Sequence, residues 1–169
     1  MTDHKEPAMD RPDPTTHPVL LCYDGSDGAK EAIAHAGRLL RAAPAVSLHV
    51  WLPLSHVLLW NPLIEGPGPL ADAAEEIDQG GREAAARLAA EGAALARSAG
   101  LEAEAAIAES HHGAWRTILH EADRREAALI VLGSHGLSPL ASGRLGCVAA
   151  GVLHHARRPV LAVPAPHSR

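Results

Sequence analysis

Ala128-Leu129-Ile130-Val131-Leu132 is an uninterrupted apolar run that breaks at once into Gly133-Ser134-His135-Gly136. Five such residues are short for a helix and show no polar alternation, so they predict a strand buried on both faces. Strands of that kind belong to parallel sheets covered by helices, which makes this run the tightest constraint on the fold. Nine residues (137–145) separate Gly136 from Gly146, and Cys147 to Ala156 then reads as a helix apolar along one side. The order strand, glycine loop, helix outlines a phosphate cradle. Glycines allow positive φ and close approach of backbone N–H groups to an anion, and the first turn of a helix adds unpaired N–H groups and a positive dipole end. The same glycines also serve a plain tight turn, and both readings stand at this point.

The rest of the chain supplies partners for that strand. Val19 to Tyr23 predicts a first strand, ended by Asp24-Gly25-Ser26-Asp27, with Ser26 or Asp27 capping a helix from about Gly28 to Ala42. Val46 to Trp51 predicts a second strand, parallel to the first through a right-handed crossover. Leu52 to Leu70, with four prolines, reads as a long loop holding at most a short helical piece. Ala71 to Ala99 is helical in pattern but carries Gly80, Gly81 and Gly92, which predicts a bend or a late start. Leu101 to Ala108 suits an edge strand that buries Leu101, Ala103, Ala105 and Ile107. Gly113 to Glu126 is an amphipathic helix, and Val160 to Val163 a fifth strand with Pro159 at its start. The whole predicts an α/β fold, an open, doubly wound, five-stranded parallel sheet with helices on both faces.

Composition narrows the function. With 169 residues, no Phe, one Tyr and three Trp, the core must be built from Ala, Val, Leu and Ile. A formal charge of −5 argues against a general nucleic-acid binder. Residues 1–17 read as a disordered tail without a signal-peptide core, and 18–169 as one domain; no stretch is long and apolar enough for a membrane span. Cys22 and Cys147 lack metal spacing and predict reduced thiols in a cytoplasmic protein. Twelve histidines include the pairs His111-His112 and His154-His155. Adjacent positions on a helix point about 100° apart, so neither pair is a helical chelate, and no metal-ligand set is assigned. No catalytic set emerges either.

In open parallel sheets, ligands bind beyond the C-terminal strand ends where strand order reverses. If the first and fourth strands are neighbours, the Asp24 loop and the Gly133 to Gly146 loop line one crevice. Asp24 then offers a carboxylate to ribose hydroxyls or an adenine amino group, and the glycine loop offers N–H groups to phosphates. The pattern Gly133, two residues, Gly136, nine residues, Gly146 resembles that of nucleotide-binding members of the universal stress protein family. Tyr23-Asp24-Gly25-Ser26 is similar to the family's first-strand ending, and Arg158-Pro159-Val160-Leu161-Ala162-Val163 to its closing strand. The likeness spans Pro18 to Val163.

The resemblance implies strand order 3-2-1-4-5 and a site for ATP or another adenine nucleotide, with or without Mg²⁺. By position that site comprises Tyr23, Asp24, Val50, Leu132, Gly133, Ser134, His135, Gly136, Gly146, Cys147 and Val148. It also implies a stress-response regulator, at most a weak ATPase, that forms homodimers through Val160 to Val163 and acts on partners in the cytoplasm. Two departures matter. Cys147 stands where the family carries Ser or Thr, and Ala149 also lacks a hydroxyl; a thiol is a weaker donor. They keep open an alternative, a nucleotide-independent dimeric interaction protein of the same fold. Arg144 is a candidate phosphate partner, or a solvated loop residue. Gly25-Ser26-Asp27-Gly28 bears only a faint likeness to the pyrophosphate loop of adenylating enzymes.

Overall fold

Val19, Leu20 and Leu21 have no solvent exposure, and they form the strand about which the sheet is built. The computed structural model describes residues 16–59, 69–136 and 145–164. In chain order the elements are β1 (Val19–Cys22), α1 (Asp27–Leu39), β2 (Pro44–Trp51), α2 (Leu54–Leu59), α3 (Pro69–Ser98), β3 (Glu102–Glu109), α4 (Ala114–Arg124), β4 (Leu129–Gly133), α5 (Cys147–His155) and β5 (Val160–Val163). The five strands are parallel, in the order β3-β2-β1-β4-β5. β1 pairs Val19 with Ala45 on one side and with Leu129 on the other, so the first and fourth strands are neighbours, as the crevice requires.

Alternation along β1 sends Val19, Leu21 and Tyr23 into one core and Leu20 into the other. The first core packs against α1 through Ala29, Ala32, Ile33 and Ala36, and against α3 through Ala96. The second packs against α4 through Ile118 and Ala122, and against α5 through Ala149 and Val152. Each fully buried Val, Leu or Ile contributes about 1.5–3 kcal/mol. Alanine-rich helix faces let the helix backbones lie close to the sheet.

Several boundaries differ from the sequence reading for local reasons. α1 ends at Leu39 rather than near Ala42; Ala42 takes a left-handed φ of 57° and its N–H donates to the Gly100 carbonyl at 2.8 Å. The helix α3 does not start late. It begins at Pro69, where a missing N–H costs nothing, and runs through Gly80, Gly81 and Gly92. Gly92 is there for room: a methyl on it would lie 2.3 Å from Ser47 Oγ and 2.8 Å from the Tyr23 ring. On the edge strand β3, Ala105 is exposed, whereas Ala103 packs in the first core and Ala106 and Ala108 in the second. Most of the N-terminal tail, residues 60–68 of the 52–70 loop, and Gly143 and Arg144 lie outside the described residues.

A matched pair of substitutions tests this packing. Gly80 has nothing within 4 Å of an added methyl. Gly80→Ala is expected to stabilise the protein by up to about 1 kcal/mol through helix propensity. Gly92→Ala is expected to destabilise it by about 1–3 kcal/mol through overpacking. Urea unfolding of both variants checks the opposite signs.

Candidate functional site

The ends of β1, β2 and β4 open into a cavity of about 250 Å³, roofed in part by α4 and by the start of α5. All eleven residues named from the sequence border it: Tyr23, Asp24, Val50, Leu132, Gly133, Ser134, His135, Gly136, Gly146, Cys147 and Val148. The structure therefore brings them together.

Asp24 sits at the junction of the two loops. Its Oδ1 accepts the Ser26 N–H at 3.0 Å, which fixes the carboxylate after β1. Its Oδ2 lies so close to Gly136 that a methyl there would stand 2.6 Å away. Gly133 likewise faces the backbone of Gly28, 2.8 Å from where its Cβ would be, and Gly146 faces the Ser134 carbonyl at 3.3 Å. None of the three glycines takes a positive φ, contrary to one half of the sequence argument; they supply room, not left-handed backbone. Positive φ at this site belongs to Gly25, at 84°, in the β1–α1 loop.

The two helices that start at the cavity differ in their amino ends. Ser26 caps α1, its Oγ accepting the Ala29 N–H at 3.2 Å. Gly146 is the N-cap of α5 and has no side chain to do the same. Its own N–H donates to the Ser134 carbonyl at 2.8 Å, tying the helix start to the β4 loop. The first N–H groups within α5, at Cys147 to Ala149, have no acceptor inside the helix, so the amino end of α5 turns unpaired donors and a positive dipole end toward the cavity. Among the described residues the lining holds no Lys or Arg, which leaves backbone N–H groups, hydroxyls and imidazoles to meet a negative charge.

The remaining polar groups are also placed. His135 Nδ1 and Ser134 Oγ are 2.9 Å apart, and His135 Nε2 is shielded from solvent with no partner among the described residues. His49 Nδ1 donates to the Tyr23 carbonyl at 2.8 Å, so a neutral His49 ring keeps Nε2 as an acceptor. Tyr23 turns its ring into the first core and donates from its hydroxyl to Glu91 at 2.5 Å. Burial, with the Asp24 charge adding to it, pushes the Cys22 thiol up to about 12. It stays protonated at neutral pH and is no nucleophile. Cys147 is exposed at the first position of α5.

Sequence reasoning missed His49, Cys22, Leu48 and Ala29 on this wall, and Ala114 and Ile118 from α4. His49 had a signal, since it precedes Val50 at a strand end. Ala114 and Ile118 had none, because helical spacing does not say which strand ends a helix crosses. Among the described residues, no helix is long and apolar enough to cross a membrane.

The sequence pattern of the universal stress protein family matches residues 15–164. A curated universal stress protein of Mycolicibacterium smegmatis (strain ATCC 700084 / mc(2)155) is 30% identical over 149 residues, covering 86% of this chain and 45% of its own. The chain thus spans about half the length of that relative. Among solved structures, hypothetical protein MJ0577 superposes with a TM-score of 0.72 at 22% identity, over 91% of this chain and 99% of its own. A universal stress protein in complex with cAMP superposes at 0.60 with 25% identity, over 89% and 98%. The match over nearly the whole described chain, on the five-stranded sheet and strand order found above, places the chain in the universal stress protein family.

Proposed function

We propose that the chain binds an adenine nucleotide in the cavity between the β1 and β4 loops and acts as a stress-response regulator. One observation carries the reading: the uncapped amino end of α5 and the fixed Asp24 carboxylate border a single cavity. The first suits phosphate and the second suits hydroxyls or an amino group, and few ligands other than a nucleotide want both. The cAMP bound by a universal stress protein 25% identical to this chain supports the same class of ligand.

In this reading the backbone near Val50 and the apolar wall of Leu48 and Ile118 take the adenine. Asp24 takes the ribose. Gly133 to Gly136, with Gly146, Cys147 and Val148, surround the phosphates, and Mg²⁺ would serve only to offset charge beyond what backbone donors neutralise. The described side chains hold and orient a ligand, and in this reading the output is regulatory, with hydrolysis weak at most. We assign the protein to the cytoplasm, in keeping with two unpaired cysteines.

The dimer we propose forms through β5, which closes one edge of the sheet. The carbonyls of Pro159 and Val163 accept N–H groups of Ile130 and Ser134, so alternation turns the N–H and C=O groups of Val160 and Ala162 to the open edge. The missing hydroxyls at Cys147 and Ala149 favour a second reading, a dimeric interaction protein that needs no nucleotide.

Calorimetric titration with AMP, cAMP and ATP, with and without Mg²⁺, separates the two readings. Saturable binding by the unmodified chain is expected, weakened about 10–100-fold by Asp24→Ala, which loses hydrogen bonds to a charged group. Gly136→Ala, which pushes Asp24 aside, should do the same. No binding at all by the unmodified chain overturns the first reading in favour of the second. Cys147→Ser returns a strong donor to the start of α5 and is expected to tighten ATP or AMP by up to about tenfold; an unchanged affinity would put the phosphates elsewhere. For the dimer, light scattering of Ala162→Pro, which deletes an outward N–H without touching the β4 ladder, is expected to report monomer where the unmodified chain reports dimer.

A further inference from the structure

The β3 end of the sheet carries a group of side chains that nucleotide binding leaves unused. Glu109 closes β3, His111 follows in the bend before α4, and His56 lies in the short helix α2. One imidazole nitrogen from each histidine and one carboxylate oxygen of Glu109 all lie within 4.8 Å of one another. The two rings are 4.2 Å apart between centroids and tilted by 45°. No spacing in the sequence announces this set, since its members come from two distant segments.

The scaffold that holds the set is α3. Asp78 accepts the backbone N–H groups of Leu54 and, at 3.0 Å, of Ser55, and so fixes the start of the helix that carries His56. One turn further along, Arg82 donates to Glu109 Oε1 at 2.5 Å while its guanidinium lies over the Trp51 ring, 5.7 Å from the centroid. That leaves the second Glu109 oxygen. A separate observation singles out His56: its Nδ1 is shielded from solvent and has no hydrogen-bond partner among the described residues. A buried nitrogen in that state is a cost unless something binds to it.

We propose that His56, Glu109 and His111 form a site for a divalent transition-metal ion of the zinc class, apart from the glycine-loop cavity. Two imidazoles and one carboxylate are a donor set that zinc takes, with water or another ligand in the fourth position. Zinc bonds of about 2.0–2.1 Å put tetrahedral donors about 3.4 Å apart. His111 is exposed and Glu109 and His56 are half-buried, so closing separations of up to 4.8 Å to that spacing asks only for side-chain rotation. Glu109 and His111 also border an open cleft of about 600 Å³, which gives an ion a way in, and His112 on its wall is a further imidazole. Arg82 opposes the ion with its charge and orients the carboxylate by its hydrogen bond. A bound ion ties α2 to the end of β3.

Competition of the full chain against a chromophoric chelator for Zn²⁺ tests the site, with Co²⁺ absorption reporting the geometry. One equivalent per chain is expected. His56→Ala, Glu109→Gln and His111→Ala should each weaken it by about 100-fold or more, since loss of supporting residues alone costs 10–100-fold. His154→Ala with His155→Ala, a histidine pair on α5, should leave it unchanged. Zn²⁺ should raise the melting temperature of the unmodified chain and not that of His111→Ala. The proposal is overturned by no saturable equivalent, by one that survives both His56→Ala and Glu109→Gln, or by one lost equally from the α5 pair. Should His56→Ala fail to fold, His111→Ala, at an exposed bend, carries the same test.

Discussion

The parallel pairing of β1 with β4 is the constraint on which the site depends. Val19 opposite Leu129 and Leu21 opposite Val131 join segments more than a hundred residues apart in the chain. That register sets the loop after Cys22 beside the loop after Gly133, so Asp24 comes against Gly136 and Gly133 against the start of α1. Without it the glycines would turn a chain and nothing more. Strand order reverses here, β2 continuing to one side of β1 and β5 to the far side of β4, which opens a crevice at the sheet's C-terminal end.

Space is the second element of the design. A core with few aromatic residues lets the helices lie close to the sheet and to one another, and glycines mark the tightest approaches. Gly92 admits the Tyr23 ring, Gly37 faces the Ala99 carbonyl at 2.4 Å from its would-be Cβ, and Gly151 faces the Trp115 ring at 2.5 Å. The same rule extends into the cavity, where Gly136 leaves the carboxylate of Asp24 its place. The core and the cavity wall use one device.

The sheet was legible from Ala128 to Leu132, whose unbroken apolar character admits little but a strand covered on both sides. That these residues border one cavity was legible because strand ends in such a sheet converge, and because the glycine spacing matched a family with that sheet. What sequence did not show was set by three-dimensional approach. The reason for the glycines was misassigned between left-handed φ and room, since both leave the same letter in the chain. His56 and His111 gave no spacing signal because α3 brings them together through Asp78 and Arg82, and neither contact leaves a local pattern. The alternation on β3 misled at Ala105, since an edge strand of alanines is covered by whatever packs there and not by its own hydrophobicity.

In the function proposed here, one cavity joins the Asp24 loop, the Gly133 to Gly136 loop and the start of α5 as a single nucleotide site. Amide chemical shifts measured as AMP is added test it most directly. Concerted perturbation of Asp24, Ser134 to Gly136 and Gly146 to Val148 is expected, with the β3 end near His111 undisturbed. Perturbation confined to another face, or none at saturating nucleotide, would contradict it.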